Sequence, residues 1–267
     1  MNNILKKENI ILVDLSYFIF YRYYALVQWW KLAKPEELLE DPSINEEFIN
    51  KFKKTFVEKL EEIPKKLKVK NYIIIGAKDC PREEIWRNEL FNNYKQNRVY
   101  DNNFTVGYFF KLAYNEIIPN ICDIINLNKL EADDCIALTA KEISKKYDDK
   151  KIYIIANDMD YLQLADDNIK IINLKYKDLQ KSKNSTGDKE CDLFCKIILG
   201  DKSDNIPGIF KKCGIKTAIN YFNDKEIFQK KILKENVIEK FELNNKIINF
   251  SEIPERLQKE FYEKFNI

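Results

Sequence analysis

Short apolar runs alternate with longer amphipathic stretches through the first two thirds of the chain, and this limits the fold more than any other feature. Residues 10–13 (Ile-Ile-Leu-Val), 72–75 (Tyr-Ile-Ile-Ile) and 152–156 (Ile-Tyr-Ile-Ile-Ala) read as strands covered on both faces. Residues 123–127 and 169–174 are weaker strand candidates. Helical patterns lie between them, over 16–30, 47–68, 104–119 and 131–147. The alternation predicts an α/β fold, a parallel sheet with helices on both faces. In such a sheet, ligands bind beyond the carboxyl ends of the strands.

Acidic side chains stand at those ends. Asp14 closes the first run, Asp79 follows the second by four residues, and Asp158 and Asp160 follow the third. Glu131, Asp133 and Asp134 open the helical stretch after 123–127. Taken singly, each could be a helix cap or a favourable charge in a first turn, worth under about 1 kcal/mol. Asp201 and Asp204, in Gly200-Asp-Lys-Ser-Asp-Asn-Ile-Pro-Gly208, could likewise be turn residues. Together they would cost several kcal/mol of like-charge repulsion unless a cation compensates.

The chain has no histidine, which excludes Ser-His-Asp and Cys-His catalysis and any His-ligated zinc or haem. Its six cysteines are scattered without a Cys-x-x-Cys pair, so neither a disulfide framework nor a thiolate metal site is expected. An all-oxygen site selects hard divalent cations, Mg²⁺ or Mn²⁺. Paired ions of that kind serve phosphodiester hydrolysis, activating water and stabilising the in-line transition state.

The cations are distributed unevenly. Lysine and arginine (45) nearly balance aspartate and glutamate (43), yet only five residues are arginine, and Arg82, Arg87 and Arg98 fall within one short segment. Arginine binds phosphate through a planar fork that lysine lacks. Residues 181–190 are polar and read as a linker or loop, after which the chain reads as helices only: 190–199, a pair around 202–223, and more beyond. From Gly200 to Lys234 eight lysines face four acids, which suits sequence-independent binding to a nucleic-acid backbone. The first apolar run is interrupted by Asp14, so no signal peptide is expected, and no stretch approaches the roughly 20 apolar residues that span a bilayer. These features predict a soluble, intracellular protein, with nucleus and cytoplasm both open.

In order, Asp14, Asp79, Trp86-Arg87, Tyr94-Lys95-Gln-Asn-Arg98, Glu131-Ala-Asp133-Asp134, Asp158-Met-Asp160 and the 200–208 segment resemble the flap endonuclease / 5′-3′ exonuclease family. The likeness covers about residues 10 to 222 and is closest in style to phage and large-DNA-virus members. It implies a PIN-like nuclease core over 1–180, with an arch or gateway over 80–103. A helix-3-turn-helix and C-terminal helical region would follow over 188–267.

The resemblance assigns roles by position. A first metal ion falls to Asp14, Asp79, Glu131 and Asp133, and a second to Asp158, Asp160 and Asp204, with Asp134 and Asp201 acting through water. Lys95, Arg82 and Arg87 become the catalytic cations at the scissile phosphate, with Arg98 steering the 5′ strand and Tyr94 stacking an unpaired base. Gly208, Lys211, Lys212, Gly214, Lys216 and Thr217 would bind duplex DNA, where a potassium ion commonly bridges. Only Gly214 of the usual hairpin glycines after Gly208 is kept, and the hairpin is about one residue longer.

The implied activity is that of a Mg²⁺-dependent, structure-selective 5′ nuclease in replication or repair. It would act as a monomer on DNA with a 5′ end or 5′ flap, or on an RNA–DNA hybrid. No sliding-clamp motif is evident near the C-terminus. A catalytically weak scaffold that binds branched DNA is the alternative. A PIN-type ribonuclease fits the 200–234 element less well, and an Asp-x-Asp phosphatase lacks its second aspartate at Ser16.

Overall fold

The computed structural model describes residues 6–98 and 105–266. Five parallel strands form one sheet: β1 (Asn9–Asp14), β2 (Tyr72–Ala77), β3 (Asp123–Ile125), β4 (Lys151–Ile155) and β5 (Ile169–Ile172), in the order β3-β2-β1-β4-β5. β1 is central, pairing Asn9 with Tyr72 on one side and with Lys151 on the other. Its four middle residues are fully buried because both sheet faces are covered. Side chains alternate along a strand. Ile10 and Leu12 therefore enter the core on one face, while Ile11 and Val13 enter the other.

The second of those faces is covered by α1 (Leu15–Ala33), α2 (Glu46–Leu67) and α3 (Val106–Leu112). α2 shows how the sequence dictates this. Asn45 caps its start by accepting from the Phe48 N–H at 2.9 Å, and Phe48, Phe52, Phe56, Leu60 and Ile63 recur on one buried stripe. The helix expected over 104–119 is shorter. After α3 the chain winds through a π-helical turn (Ala113–Ile117) and a 3₁₀ turn containing Pro119, which has no amide hydrogen to continue the ladder. Residues 104 and 99–103 lie outside the described residues.

The opposite face packs on α4 (Ala132–Lys146) and, unexpectedly, on Phe250 and Ile253 and then Leu257 and Phe261 of the final helix α9 (Glu255–Phe265). The expected C-terminal unit, 188–267, is thus divided in space. Helices α5 (Lys189–Leu199), α6 (Ile215–Asn223), α7 (Lys225–Glu235) and α8 (Ile238–Ile248) form a core of their own, joined by Ile85 and Tyr94. α9 returns to the sheet. The helix expected to begin near 202 is absent, because Gly200 takes φ +69° and Asp201 and Ile206 close a tight two-way backbone bridge. Among the described residues no helix is long and apolar enough to cross a membrane.

Candidate active site

The acidic residues reach one place because parallel strands end there. β1 ends on Asp14, whose Oδ1 also caps α1 from the Tyr17 N–H at 3.0 Å. Asp79 follows β2 and is held by the Ser16 hydroxyl (2.5 Å) and the Ala132 N–H (2.8 Å). Glu131, Asp133 and Asp134 occupy the start of α4, where the positive end of the helix dipole favours them. Asp158 and Asp160 follow β4, and the 200–208 turns bring Asp201 and Asp204. The strand order reverses between β1 and β4, the switch point where such sheets bind ligands.

Carboxylate oxygens of Glu131, Asp133 and Asp134 lie within 4.8 Å of one another, as do those of Asp160, Asp201 and Asp204. The Tyr94 hydroxyl links the two groups, donating to Glu131 at 2.9 Å with Asp204 at 3.3 Å. Lys95 does the same with its ammonium, pairing with Glu131 and standing 3.6 Å from Asp204.

The electrostatics divide the acids into two kinds. Burial, then the neighbouring Asp79 and Asp158, push Asp14 up to about 7. Burial and Asp158 push Asp160 up to about 7, although Lys196 opposes them. Burial with Glu131 and Asp134 beside it raises Asp133 well above the usual carboxylate range. Burial also works against Glu131, but Lys95 and Arg87 outweigh it and hold that carboxyl low. Asp201 is about 2, since Lys196 and Ser203 overcome its burial. The site therefore carries more buried negative charge than its own cations offset, and it offers only oxygen donors. That donor set fits hard divalent ions.

Three sequence-based assignments are corrected. Arg87 is 2% exposed and cannot grip a substrate phosphate. Its guanidinium forks onto Asp134 (2.7 and 2.8 Å), reaches Glu131 at 3.0 Å and donates from Nε to the Ile247 carbonyl at the end of α8 (2.7 Å). Asp134 is fully buried, and its oxygens accept from Arg87, from Trp86 Nε1 at 3.0 Å and from the Glu131 N–H at 3.1 Å. Those bonds tie it to the site's wall and pair its charge with Arg87 rather than leaving it free for an ion. Tyr94, 4% exposed, packs among α5–α8 and cannot stack a base.

The gateway segment is likewise no helical arch within the described residues. It forms two 3₁₀ turns, Arg82–Glu84 and Trp86–Glu89, and then a run of turns. Arg82 donates to the carbonyls of Lys95 and Arg98, stapling that run from behind. Arg98 pairs with Asp204 at 2.5 Å and reaches the Ser203 carbonyl at 3.3 Å.

The remaining basic groups lie on the α5–α6 side. Gly208 packs against the end of α5, where an added Cβ would come 2.8 Å from the Leu199 carbonyl oxygen. Lys211, Lys212, Lys216 and Thr217 are exposed, and Gly214 caps α6 without a side chain, leaving that helix start open to an anion.

Lys196, on the last turn of α5, was missed by sequence reading, yet its ammonium sits 2.7 Å from Asp160 and 2.5 Å from Asp201. The only sequence signal was its position five residues before Asp201. Tyr161, whose hydroxyl points at Asp14 from 3.4 Å, and Ser16 were also missed.

Comparison with known proteins agrees with this architecture. Residues 9–191 match the family model described as 5′-3′ exonuclease, N-terminal resolvase-like domain. A 5′-3′ exonuclease of Buchnera aphidicola (from Acyrthosiphon pisum) is 31% identical over 231 residues, covering 84% of this chain and 72% of the relative. That of Mycoplasmopsis pulmonis is 27% identical over 293 residues, covering 98% and 88%. The fold matches a bacteriophage T5 flap endonuclease solved in complex with DNA and metal ions, with a TM-score of 0.69 at 18% identity, over 97% of this chain and 98% of that one.

Proposed function

This chain belongs to the 5′-3′ exonuclease family, and on that premise we propose that it is a structure-selective 5′ nuclease hydrolysing DNA phosphodiesters with two Mg²⁺ ions. The observation that carries the reading is the crowding of buried carboxylates at the switch point, where burial and then one another's charge raise Asp14, Asp133 and Asp160. Asp14, Asp79, Glu131 and Asp133 would hold one ion, and Asp158, Asp160, Asp201 and Asp204 the other. Ions held by these residues would supply Lewis acidity to a scissile phosphate and would activate water there.

The chain's own groups do the rest. Ser16 and the Ala132 N–H fix both oxygens of Asp79, so its orientation is set before any ion arrives. Arg87 and Tyr94 both hold Oε2 of Glu131, and Lys95 pairs with its Oε1. Among the described gateway residues, Lys95 has its charged end between the two carboxylate groups, and it is the group that meets the reacting phosphate. The exposed Lys211, Lys212 and Lys216, with Thr217 at the open start of α6, hold the duplex backbone. A potassium ion there, and an RNA–DNA hybrid as second substrate, belong to the same proposal.

A labelled 5′-flap duplex and an RNA-primed duplex, each with and without Mg²⁺, test it. Wild-type protein should cleave only with Mg²⁺, and Asp158→Asn with Asp160→Asn should abolish cleavage while binding persists. Undiminished cleavage by the double variant would sink the proposal. Binding of branched DNA without turnover in either Mg²⁺ or Mn²⁺ would favour the scaffold alternative instead.

A further inference from the structure

Each carboxylate pocket already contains an ammonium group. Lys95, 9% exposed, pairs with Glu131 and faces Asp204, and Lys196 lies between Asp160 and Asp201. These are the oxygens to which the metal ions are assigned. Burying an ammonium is costly unless it is paired, and crowding carboxylates is costly unless something neutralises them. The two lysines settle both costs together. We propose that Lys95 and Lys196 are exchangeable counter-ions, competing with the divalent ions for the same carboxylates. This rests on the reading that those pockets bind the metals.

The backbone around Lys95 allows such an exchange by side-chain movement alone. The gateway turns are zipped to the 201–205 loop: Lys95 N–H donates to the Asp204 carbonyl (2.9 Å), Asn97 to that of Lys202 (2.7 Å), and Asn205 to that of Asn93 (2.9 Å). The ammonium can leave the carboxylates without leaving the site. Lys196 lies in the last turn of α5, where Gly200 caps onto its carbonyl at 2.8 Å, so it too is held by backbone. Loading the metals therefore frees two positive charges, of which Lys95 becomes available to a phosphate oxygen.

Calcium binding to the full chain without substrate, followed by calorimetry, tests this independently of turnover. Lys196→Met and Lys95→Met should each bind Ca²⁺ more tightly than wild type, by about tenfold for loss of one competing charge. Each should melt lower than wild type without metal and recover most of that difference with saturating Ca²⁺. Lys196→Arg, which keeps the charge, should stay near wild type. A merely structural lysine would weaken Ca²⁺ binding on removal. Unchanged or weaker affinity in Lys196→Met overturns the assignment for its pocket, and the same result in Lys95→Met overturns the other.

Should a variant fail to fold without metal, amine labelling of the wild-type protein at pH 9, read by mass spectrometry, decides. Ca²⁺ should raise the reactivity of Lys95 and Lys196 and leave that of the surface residue Lys53 unchanged. Equal reactivity with and without Ca²⁺ overturns the proposal. Wild-type protein that binds no Ca²⁺ at all would bring down the metal reading itself, a result distinct from metal binding that ignores the lysines.

Discussion

Replacing Arg87 by methionine separates two accounts of that residue. A phosphate-gripping arginine would be lost with little effect on stability and a large effect on substrate binding. The structure places Arg87 in the opposite class. Both it and Asp134 are almost wholly removed from solvent, and the pair is bidentate. Removing one partner of such a pair leaves an uncompensated buried charge, at a cost of about 3–5 kcal/mol. The Ile247 carbonyl loses its donor as well. At roughly 2–4 °C per kcal/mol for a domain near this size, the melting temperature should fall by roughly 10 °C. Arg87→Met with Asp134→Leu should recover much of the loss, since it is the orphaned carboxylate that is expensive. Calorimetric melts of the two single variants and the double variant complete the cycle. A drop below about 2 °C in Arg87→Met, with weakened flap binding, would refute the assignment of Arg87 to the wall of the site.

Other consequences can be measured directly. Asp14 and Asp160 each titrate near 7 in the folded protein against 3.8 for the ordinary carboxyl. Between those values the folded state binds more protons than the unfolded one. Their contribution to the stability of metal-free protein is therefore full below about pH 4 and lost as pH rises towards 7, and 10 mM Mg²⁺ should flatten this trend in thermal melts. Gly200→Ala would force a side chain onto φ +69° with its Cβ 2.4 Å from the Ile206 carbonyl oxygen. It should cost at least about 1–3 kcal/mol and weaken Ca²⁺ binding by displacing Asp201 and Asp204, as a denaturant melt and calorimetry would show. Lys211→Ala with Lys212→Ala should weaken duplex binding uniformly across sequences. The salt slope should fall by about one for each phosphate no longer neutralised, measured by anisotropy from low to high salt.

Much of this molecule can be read from local pattern. A continuous apolar run marks residues 10–13 and 152–156 as strands covered on both faces without any knowledge of partners, and β1 and β4 lie where the runs predict. The acids that follow the strands are legible for the same reason, since parallel strands must deliver their ends to one edge. Asp14, Asp79, Glu131, Asp133, Asp158 and Asp160 reach that edge, the 200–208 turns add Asp201 and Asp204, and the absence of histidine in the sequence already restricted the donors there to oxygen.

Which charges remain available was decided only by packing across long separations. Arg87 meets an α8 carbonyl 160 residues away, Tyr94 meets Asp204 across 110 residues, and both lose solvent to helices whose docking no local period encodes. Asp133 and Asp134 are neighbours in sequence, yet a helix turns adjacent residues about 100° apart. Asp134 is turned into Arg87 and neutralised, while Asp133 has no hydrogen bond to a cation among the described residues and its carboxyl is driven upward. Lys196 enters the site because α5 docks beside the 159–164 turn, an arrangement that no local period encodes. The sequence determined which groups could assemble at the sheet edge. Burial, which depends on the whole fold, decided which of them a metal ion or a phosphate can reach.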